Sequence, residues 1–330
     1  MTTRILDRGT ERYALAKRYI EEGEVVAFHT ETVYGLGANA FSDEAVKRIF
    51  ALKGRPADNP LIVHIHRDFS LSPLIDGEPG YAEKLRKTFL PGPLTMVYPS
   101  TGKVSKFVSC GLNTLAVRVP SSLTAQAFLK EVNLPIAAPS ANISKRVSPV
   151  TAGHVFDDFN GKIPLILDGG SCTGGIESTV LDCTGEIPVI LREGLVTREQ
   201  IARVAGDCGV YAHKQGEQPR SPGMAYKHYS PRCKTSYFTE ISDAVTAYRR
   251  EEKEGGTPYI LCESSRLSEL ADLRTLDLGG TAEEMARRLY ALLREGETRA
   301  TLLIAVEPKT QGGAMAGVMN RLTRAVGERV

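Results

Sequence analysis

Residues 42–66 read SDEAVKRIFALKGRPADNPLIVHIH and combine a helix, a basic loop and a strand. Ser42 can cap a helix whose apolar residues recur at helical spacing, and Gly54 is placed to end it. Residues 61–66 then alternate in the way of a strand, with His64 on one face and its two apolar neighbours on the other. A helix followed by a loop and a strand predicts an α/β unit.

The rest of the chain divides into three segments. Residues 1–205 alternate helical and strand patterns, which predicts one α/β domain. Residues 206–232 contain several prolines and glycines, as linkers do, and residues 233–330 resume the α/β pattern. We therefore predict two α/β domains joined by a linker. In the first domain we predict a helix over 13–20 and further strands at 24–29, 114–119, 163–167, 178–183 and 189–191.

The last segment carries its own start and stop signals. Thr281 and Glu284 form a capping-box pattern that predicts the start of a helix, and Gly296 is the predicted end. Apolar runs at 258–262 and 302–306 predict strands on either side of that helix.

Composition excludes several classes of protein. The 330 residues include 41 basic and 39 acidic ones, a formal charge of +2, which argues against a strongly polybasic nucleic-acid-binding protein but allows a local basic site. No unbroken apolar run exceeds five residues, whereas a membrane-spanning helix needs about 20. The N-terminal residues lack the apolar core of a secretion signal. The six cysteines are scattered without a C-x-x-C pair, which favours reduced thiols in a cytoplasmic protein over a zinc site or disulfides.

Several polar loops follow predicted strands in the first domain. The sequence contains no P-loop, and Gly35-Leu36-Gly37 lacks the third glycine of a dinucleotide fingerprint. Lys53 and Arg55 suit a polyphosphate, although without other evidence an exposed basic turn is the simpler explanation. Hydroxyl and amide side chains cluster over 137–149, and four glycines over 168–182 allow close approach to a ligand. Several polar loops in one domain favour a small-molecule site.

Arg118 stands out because it interrupts an otherwise apolar strand. Alternation places it on one face with Thr114 and Ala116. A buried guanidinium needs a partner, so we expect either a bound carboxylate or phosphate, or a structural Asp. Residues 221–232 raise a similar pair of alternatives, since their aromatic and basic side chains could stack on a base or anchor the linker.

Taken together, these motifs resemble the YrdC-like family, in the long two-domain form of L-threonylcarbamoyladenylate synthase. The resemblance covers nearly the whole chain and rests on the order and spacing of its motifs. These are TETVYGLG (30–37), KGRP-x-x-NPLIVH (53–64), PGPLT (91–95), T-x-AVR-x-P (114–120), APSAN (138–142), EST (177–179), LR-x-G (191–194), SPGM-x-Y-x-HY (221–229) and MNR (319–321).

The resemblance implies a fold and a reaction. The fold is a YrdC-type twisted open sheet with a concave, positively charged cavity, followed by a smaller Rossmann-like domain. The reaction joins L-threonine, bicarbonate and ATP into threonylcarbamoyl-AMP and releases pyrophosphate, with Mg²⁺ accompanying ATP. The product would pass to the machinery that modifies an adenosine of tRNA. Direct tRNA binding is compatible with the resemblance but not required by it, and no membrane is involved.

The family's roles fall on matching residues. Catalysis would rest on Lys53 and Arg55, and residues 206–232 would form a lid. Threonine would contact Thr32, His64, Arg118, Ala138 and Ser178. The nucleotide would contact Arg55, Asn59, Thr114, Ser140, Asn142, Ser148, Arg192 and Tyr229. No protein metal site is expected, and no side chain resembles a covalent nucleophile.

The sequence departs from the family pattern at three positions. His29 replaces the usual Pro, Lys145 replaces the usual Gly, and Ala225 replaces the common Lys. None of them removes a matched contact. The main alternative function is an RNA-binding protein without catalysis, against which the near-neutral charge argues.

Overall fold

A computed structural model of the chain describes residues 2–211 and 229–327, which form two compact units. The described part of the first unit comprises residues 2–144 and 149–211. Residues 145–148 belong with the second unit, together with the described C-terminal residues. Most of the predicted lid, including Ala225, lies outside the described residues.

The first unit is built on a mixed sheet of eleven strands, which confirms the predicted α/β class. Its strand order is β1-β8-β2-β3-β7-β4-β6-β5-β9-β10-β11. The strands are β1 (Arg4–Leu6), β2 (Val26–Phe28), β3 (Gly35–Asn39), β4 (Ile62–His64), β5 (Leu94–Pro99), β6 (Thr114–Arg118), β7 (Ile136–Ala137), β8 (Leu165–Leu167), β9 (Thr179–Asp182), β10 (Val189–Arg192) and β11 (Gly209–Val210). The helices are α1 (Glu11–Glu21), α2 (Asp43–Lys53), α3 (Gly80–Phe89), α4 (Lys106–Ser109), α5 (Leu123–Val132), α6 (Ala152–Phe159) and α7 (Arg198–Ala205).

Helix α2 begins and ends at the predicted residues. The Ser42 hydroxyl accepts a hydrogen bond from the Ala45 amide, which satisfies one free donor of the first turn. Gly54 follows the helix with φ of +59°, a left-handed conformation that glycine adopts without steric cost. Lys53 is therefore fixed as the last residue of α2.

The centre of the sheet places His64 and Arg118 side by side. Strands β4 and β6 run parallel, with His64 opposite Arg118 in the register, and β5 pairs antiparallel to β6, with Thr95 opposite Arg118. A core formed by α1, α5 and the neighbouring strands supports this region, with Phe28 and Phe128 among its fully buried side chains.

The second unit is a four-stranded parallel sheet of order β12-β15-β13-β14. Alternation of parallel strands with helices agrees with the predicted Rossmann-like character. Its elements are β12 (Lys234–Phe238), α8 (Ile241–Lys253), β13 (Pro258–Cys262), a 3-10 helix (Ser264–Leu270), β14 (Thr275–Asp277), α9 (Ala282–Arg299), β15 (Leu302–Val306) and α10 (Met315–Val326).

Two local predictions in α9 need correction. Thr281 caps the helix as expected, but the Glu284 carboxylate accepts from the Gly280 amide, one residue before the cap. The helix also continues past Gly296 to Arg299. A Cβ at Gly296 would lie 2.9 Å from a methyl carbon of Leu303, so this glycine permits a close helix–strand contact and does not end the helix.

Two further observations bear on the predicted organisation. Strand β11 pairs with β10, so the first sheet extends into the segment predicted as a linker from residue 206. Among the described residues, no helix has both the length and the apolar character needed to cross a membrane.

Candidate active site

Arg118 is buried and paired with a carboxylate of the protein. Its Nη2 lies 2.8 Å from Glu31 Oε1, its Nη1 donates to the Thr32 hydroxyl at 2.8 Å, and its Nε donates to the Gly92 carbonyl at 3.3 Å. The structural partner is therefore Glu31, where a structural Asp was the expected alternative. Burial opposes ionisation of Glu31, but the adjacent guanidinium outweighs it and lowers the pKa of this carboxyl.

His64 lies beside Arg118 as a neutral imidazole. Burial, together with the Arg118 charge, lowers the pKa of His64 to about 3. Its Nδ1 is 3.2 Å from the Ile62 carbonyl, and its ring makes an edge contact with Phe28. A neutral ring can orient a hydroxyl or amine without adding charge to the pocket.

Ser178 reaches the same region through Thr95. The two hydroxyl oxygens are 2.8 Å apart, and Thr95 is opposite Arg118 in the sheet. Arg192 donates from Nη2 to the Ser178 carbonyl at 3.0 Å and to its hydroxyl at 3.3 Å. The structure thus connects a predicted nucleotide residue directly to a predicted threonine residue.

Gly194 explains why the LR-x-G motif ends in glycine. A Cβ there would lie 2.4 Å from the Thr179 amide nitrogen and 2.7 Å from the Glu177 carbonyl oxygen. Both atoms are main chain and cannot move aside cheaply. Glycine therefore lets the chain after β10 pass directly over Ser178.

Ala138 completes one end of the site, which we term the Arg118 end. The Ala138 amide donates to the Ile62 carbonyl at 2.9 Å, and β7 pairs antiparallel to β4 through Ala137 and Val63. We define the Arg118 end by the residues that these contacts bring together: Glu31, Thr32, His64, Thr95, Arg118, Ala138 and Ser178.

A second group of predicted residues lies toward the other end of β4 and β6. Arg55 Nη2 donates to the Asn59 carbonyl at 3.0 Å, and Asn59 is buried, with no hydrogen-bond partner for Oδ1 in the described part of the chain. Pro60 and Thr114 line one small cavity. Thr114 precedes Arg118 by four residues in the strand, which at roughly 3.3 Å per residue is about 13 Å. We term Arg55, Asn59 and Thr114 the Arg55 end.

An apolar surface joins the two ends. Ile62 and Ala116 share a face with Arg118 and belong to a buried cluster against which Tyr211 packs. Because these side chains are apolar, the floor between the two polar ends suits an uncharged part of a ligand.

Lys53 is buried and holds a loop by its main chain. Its Nζ donates to the Ser140 carbonyl at 2.6 Å and to the Asn142 carbonyl at 2.5 Å. Burial, and secondarily the charge of Arg55, lowers the pKa of Lys53 well below its usual value. The Ser140 hydroxyl donates to Asn142 Oδ1 at 2.5 Å, so the 140–142 segment presents a fixed set of polar groups.

Ser148 and Tyr229 belong to the second unit. Ser148 is fully buried there, beside the Arg294 guanidinium that donates to the Val147 carbonyl. Tyr229 has a φ of +68°, and its ring lies 5.2 Å from that of Tyr290. Their predicted contact with nucleotide stays a prediction.

Two glycines of the 168–182 stretch, Gly169 and Gly174, pack closely against the protein itself. A Cβ at Gly169 would meet the His29 ring at 2.6 Å, and a Cβ at Gly174 would meet the Glu31 carbonyl at 3.1 Å. These glycines therefore allow close contact with the 29–31 segment of the protein itself. His29 also lies 2.7 Å from the Ser122 hydroxyl through Nδ1, so this departure from the family pattern fills a packed position.

Sequence reasoning missed Glu31, Thr95 and Tyr211. Glu31 adjoins Thr32 in the TETVYG motif, and a carboxylate next to a predicted substrate residue was a usable signal for it. Thr95 ends the PGPLT motif, but its proximity to Ser178 depends on strand pairing. Tyr211 carries no local signal, since it lies in the segment predicted as linker.

No protein metal site emerges among the described residues. They contain no group of three or more His, Cys, Asp or Glu side chains that could hold a metal ion.

Comparison with known proteins shows which family the chain belongs to. Residues 18–194 match the Sua5/YciO/YrdC family model, described as telomere recombination, and residues 196–327 match the C-terminal domain of threonylcarbamoyl-AMP synthase. The threonylcarbamoyl-AMP synthases of Pyrococcus abyssi and Bacillus subtilis are each 41% identical to the chain. The first comparison covers 96% of this chain and 94% of that protein, and the second covers 98% and 96%.

A solved structure matches over both units. The crystal structure of P. abyssi Sua5 complexed with L-threonine has a TM-score of 0.91 and 39% identity, covering 99% of this chain and 98% of that one. The non-catalytic RNA-binding alternative receives no support from these similarities. With two matching domains and this identity over nearly its full length, the chain belongs to the threonylcarbamoyl-AMP synthase family, in its two-domain form.

Proposed function

We infer that the chain makes L-threonylcarbamoyl-AMP from L-threonine, bicarbonate and ATP, with release of pyrophosphate. The observation that carries this inference is a buried Arg118, within reach of Thr32 and His64, in a family of threonylcarbamoyl-AMP synthases. A guanidinium in that setting recognises a carboxylate by two parallel hydrogen bonds.

We propose that threonine binds at the Arg118 end. Its carboxylate would take the Arg118 guanidinium, which Glu31 neutralises when no substrate is bound. Thr32, His64 and Ser178 offer hydroxyl and imidazole groups to the polar atoms of the amino acid, and Ala138 limits its size. Because a site built to hydrogen-bond a substrate leaves buried groups unpaired with a poorer one, this set favours threonine over apolar amino acids.

We propose that ATP binds toward the Arg55 end and the 140–142 segment. Arg55 would contact the phosphates, with Asn59 and Thr114 beside it, and Arg192 would connect this end to Ser178. Ser140 and Asn142 would bind the nucleotide from the loop that Lys53 holds. Ser148 and Tyr229 of the second unit remain proposed nucleotide contacts, on the family resemblance alone.

Lys53 receives a narrower role than the one first assigned to it. Its amine is buried and donates to two carbonyls of the 140–142 segment, so we propose that it positions that segment. Arg55 is then the residue proposed to contact the phosphates during catalysis.

The chemistry requires positioning more than covalent participation by the protein. The threonine nitrogen attacks the bicarbonate carbon and a carbamate forms with loss of water. A carbamate oxygen then attacks the α-phosphorus of ATP, and the bond to the leaving pyrophosphate breaks. Alignment of the reactants and stabilisation of phosphate charge by Arg55 and Arg192 are the contributions that these residues can make.

We propose that Mg²⁺ arrives with ATP. Because Mg²⁺ prefers hard oxygen ligands and keeps several waters, the nucleotide phosphates would supply most of its other ligands. The ion would offset phosphate charge, and adenylyl transfer would proceed without an enzyme-AMP intermediate.

The product and its destination follow from the same proposal. The mixed anhydride of threonylcarbamate and AMP is an activated acyl donor, and we propose that the tRNA threonylcarbamoyl transferase machinery consumes it. The enzyme itself need not bind tRNA. The six cysteines are free thiols, which fits the proposed cytoplasmic location.

The test is an omission series. Pyrophosphate release from Mg-ATP should require both threonine and bicarbonate, and serine should be a poorer substrate. Labelled carbon from bicarbonate should appear in one product together with threonine and AMP. Release that needs neither threonine nor bicarbonate would refute the assignment, and an AMP adduct that accumulates on the enzyme without threonine would refute direct transfer.

A further inference from the structure

A second cavity lies on the opposite face of the sheet from Arg118. It has a volume of about 410 Å³ and is lined by residues of β5, β6 and α3 and of the loops beside them. Val117 and Val119 flank Arg118 in sequence and point into the cavity, because successive side chains of a strand face opposite sides. The cavity and the Arg118 end therefore share strand β6 but have separate openings.

The wall of this cavity is mainly apolar. The buried part of the wall includes Ile65, Val117 and Val119. Half-buried Leu71 and Leu90 also line the cavity. A concave site of this volume and lining is within the range of small-molecule sites in proteins.

The polar groups at the cavity carry an excess of positive charge. Arg67, Arg86 and Lys87 line it, against a single acid, Glu78. Arg86 pairs with Glu78 at 2.9 Å, and Lys87 pairs with Glu83 at 2.6 Å. The exposed Arg67 side chain has no ion-pair or hydrogen-bond partner within the described ranges, so its planar fork of donors is free for an anion.

We propose that this cavity binds an amphipathic monocarboxylate of medium chain length. The apolar body would occupy the wall formed by Ile65, Val117 and Leu71, and the carboxylate would meet Arg67 at the opening. The ligand class follows from an apolar enclosure with one unpaired guanidinium at its rim. The site is independent of the proposed threonine and ATP contacts.

The test is a calorimetric titration of the full chain with decanoate. Decanoate should bind at one saturable site per chain, and decylammonium should bind at least tenfold more weakly. Arg67→Glu should weaken decanoate binding at least tenfold, whereas Arg8→Glu, at a residue with 92% of its side chain exposed and far from the lining, should leave it unchanged. Leu71→Trp, which enlarges a side chain of the apolar wall, should remove binding.

The location of the decanoate site relative to the proposed threonine and ATP sites is tested separately. Saturating threonine and Mg-ATP should leave the decanoate affinity within a factor of two, and each variant should keep the wild-type unfolding temperature within a few degrees. Equal affinity in wild type and Arg67→Glu, equal binding of decylammonium, displacement by threonine, or the absence of saturable binding would each overturn the proposal.

Discussion

Arg118 and Glu31 form a buried ion pair with 2.8 Å between Nη2 and Oε1, and their side chains are only 4% and 11% exposed. Breaking such a pair from one side leaves an uncompensated charge and costs about 3 kcal/mol of stability. We therefore expect Glu31→Gln to lower the unfolding temperature substantially. We also expect threonine to stabilise this variant more than wild type, because the substrate carboxylate would restore a counter-charge to Arg118.

A matched control separates this effect from ordinary ion-pair loss. Glu24 pairs with Arg48 at 2.6 Å, but the two side chains are 27% and 46% exposed, and partly exposed pairs contribute at most about 1 kcal/mol. The control variant is Glu24→Gln. Thermal unfolding with and without threonine compares it with Glu31→Gln. A threonine-induced shift in Glu31→Gln no larger than that of wild type would contradict the proposed role of the pair.

His64 should remain neutral across the physiological pH range. Its pKa in the folded protein is about 3 because of burial and the neighbouring Arg118, whereas in the unfolded chain it returns to about 6.5. The unfolded state therefore binds the proton first, so this group contributes stability above pH 6.5 that is lost as the pH falls toward 3. Histidine NMR, assigned with His64→Gln, should show no His64 titration between pH 5 and 8. A midpoint near 6.5 would refute the prediction.

Lys53 should matter for nucleotide binding through the 140–142 segment. Lys53→Met removes two hydrogen bonds to the carbonyls of Ser140 and Asn142. We expect kcat/KM for ATP to fall roughly tenfold or more, since each such bond contributes about 1 kcal/mol. Lys47→Met lies on the same helix at an exposed position and should leave ATP kinetics unchanged. The role assigned to Lys53 would be wrong if both variants behaved alike.

Lys145 should be less favourable than glycine at its position. Its φ is +70°, which is left-handed backbone that a side chain disfavours. Lys145→Gly should raise the free energy of unfolding of the second unit by about 0.5–1 kcal/mol after the entropic cost of glycine. Denaturant titration measures this, with Lys103→Gly as a control at an exposed lysine whose own φ is not positive. A loss of stability in Lys145→Gly would contradict the explanation.

Local signals explain which parts of the fold the sequence predicted. Both ends of α2 were found because the Ser42 cap and the left-handed Gly54 act on their own helix. Gly296 was wrongly predicted to end α9. Glycine is needed at this position because the helix lies close to Leu303 on a neighbouring strand. A glycine that permits close approach cannot be told from one that ends a helix until the partner strand is placed.

In the candidate site, too, local signals were predicted and contacts between distant segments were not. Alternation in β6 identified Arg118 as a buried cation in need of a partner, and its face was predicted correctly. Its partner Glu31 comes from a loop distant in sequence, and Thr95 joins Ser178 only because β5 pairs with both β6 and β9. Contacts fixed by strand order are not contained in local patterns.

We propose that threonine and ATP bind at opposite ends of β4 and β6, and one pair of substitutions distinguishes the two ends. Arg118→Lys and Arg55→Lys keep the charge and remove the planar, two-pronged donor set at each end. We expect Arg118→Lys to raise the KM for threonine at least tenfold, with the KM for ATP within a factor of two, and Arg55→Lys to raise the KM for ATP at least tenfold, with the KM for threonine within a factor of two. If both variants raised the two KM values equally, or if each affected the other substrate, the assignment of the two ends would be contradicted.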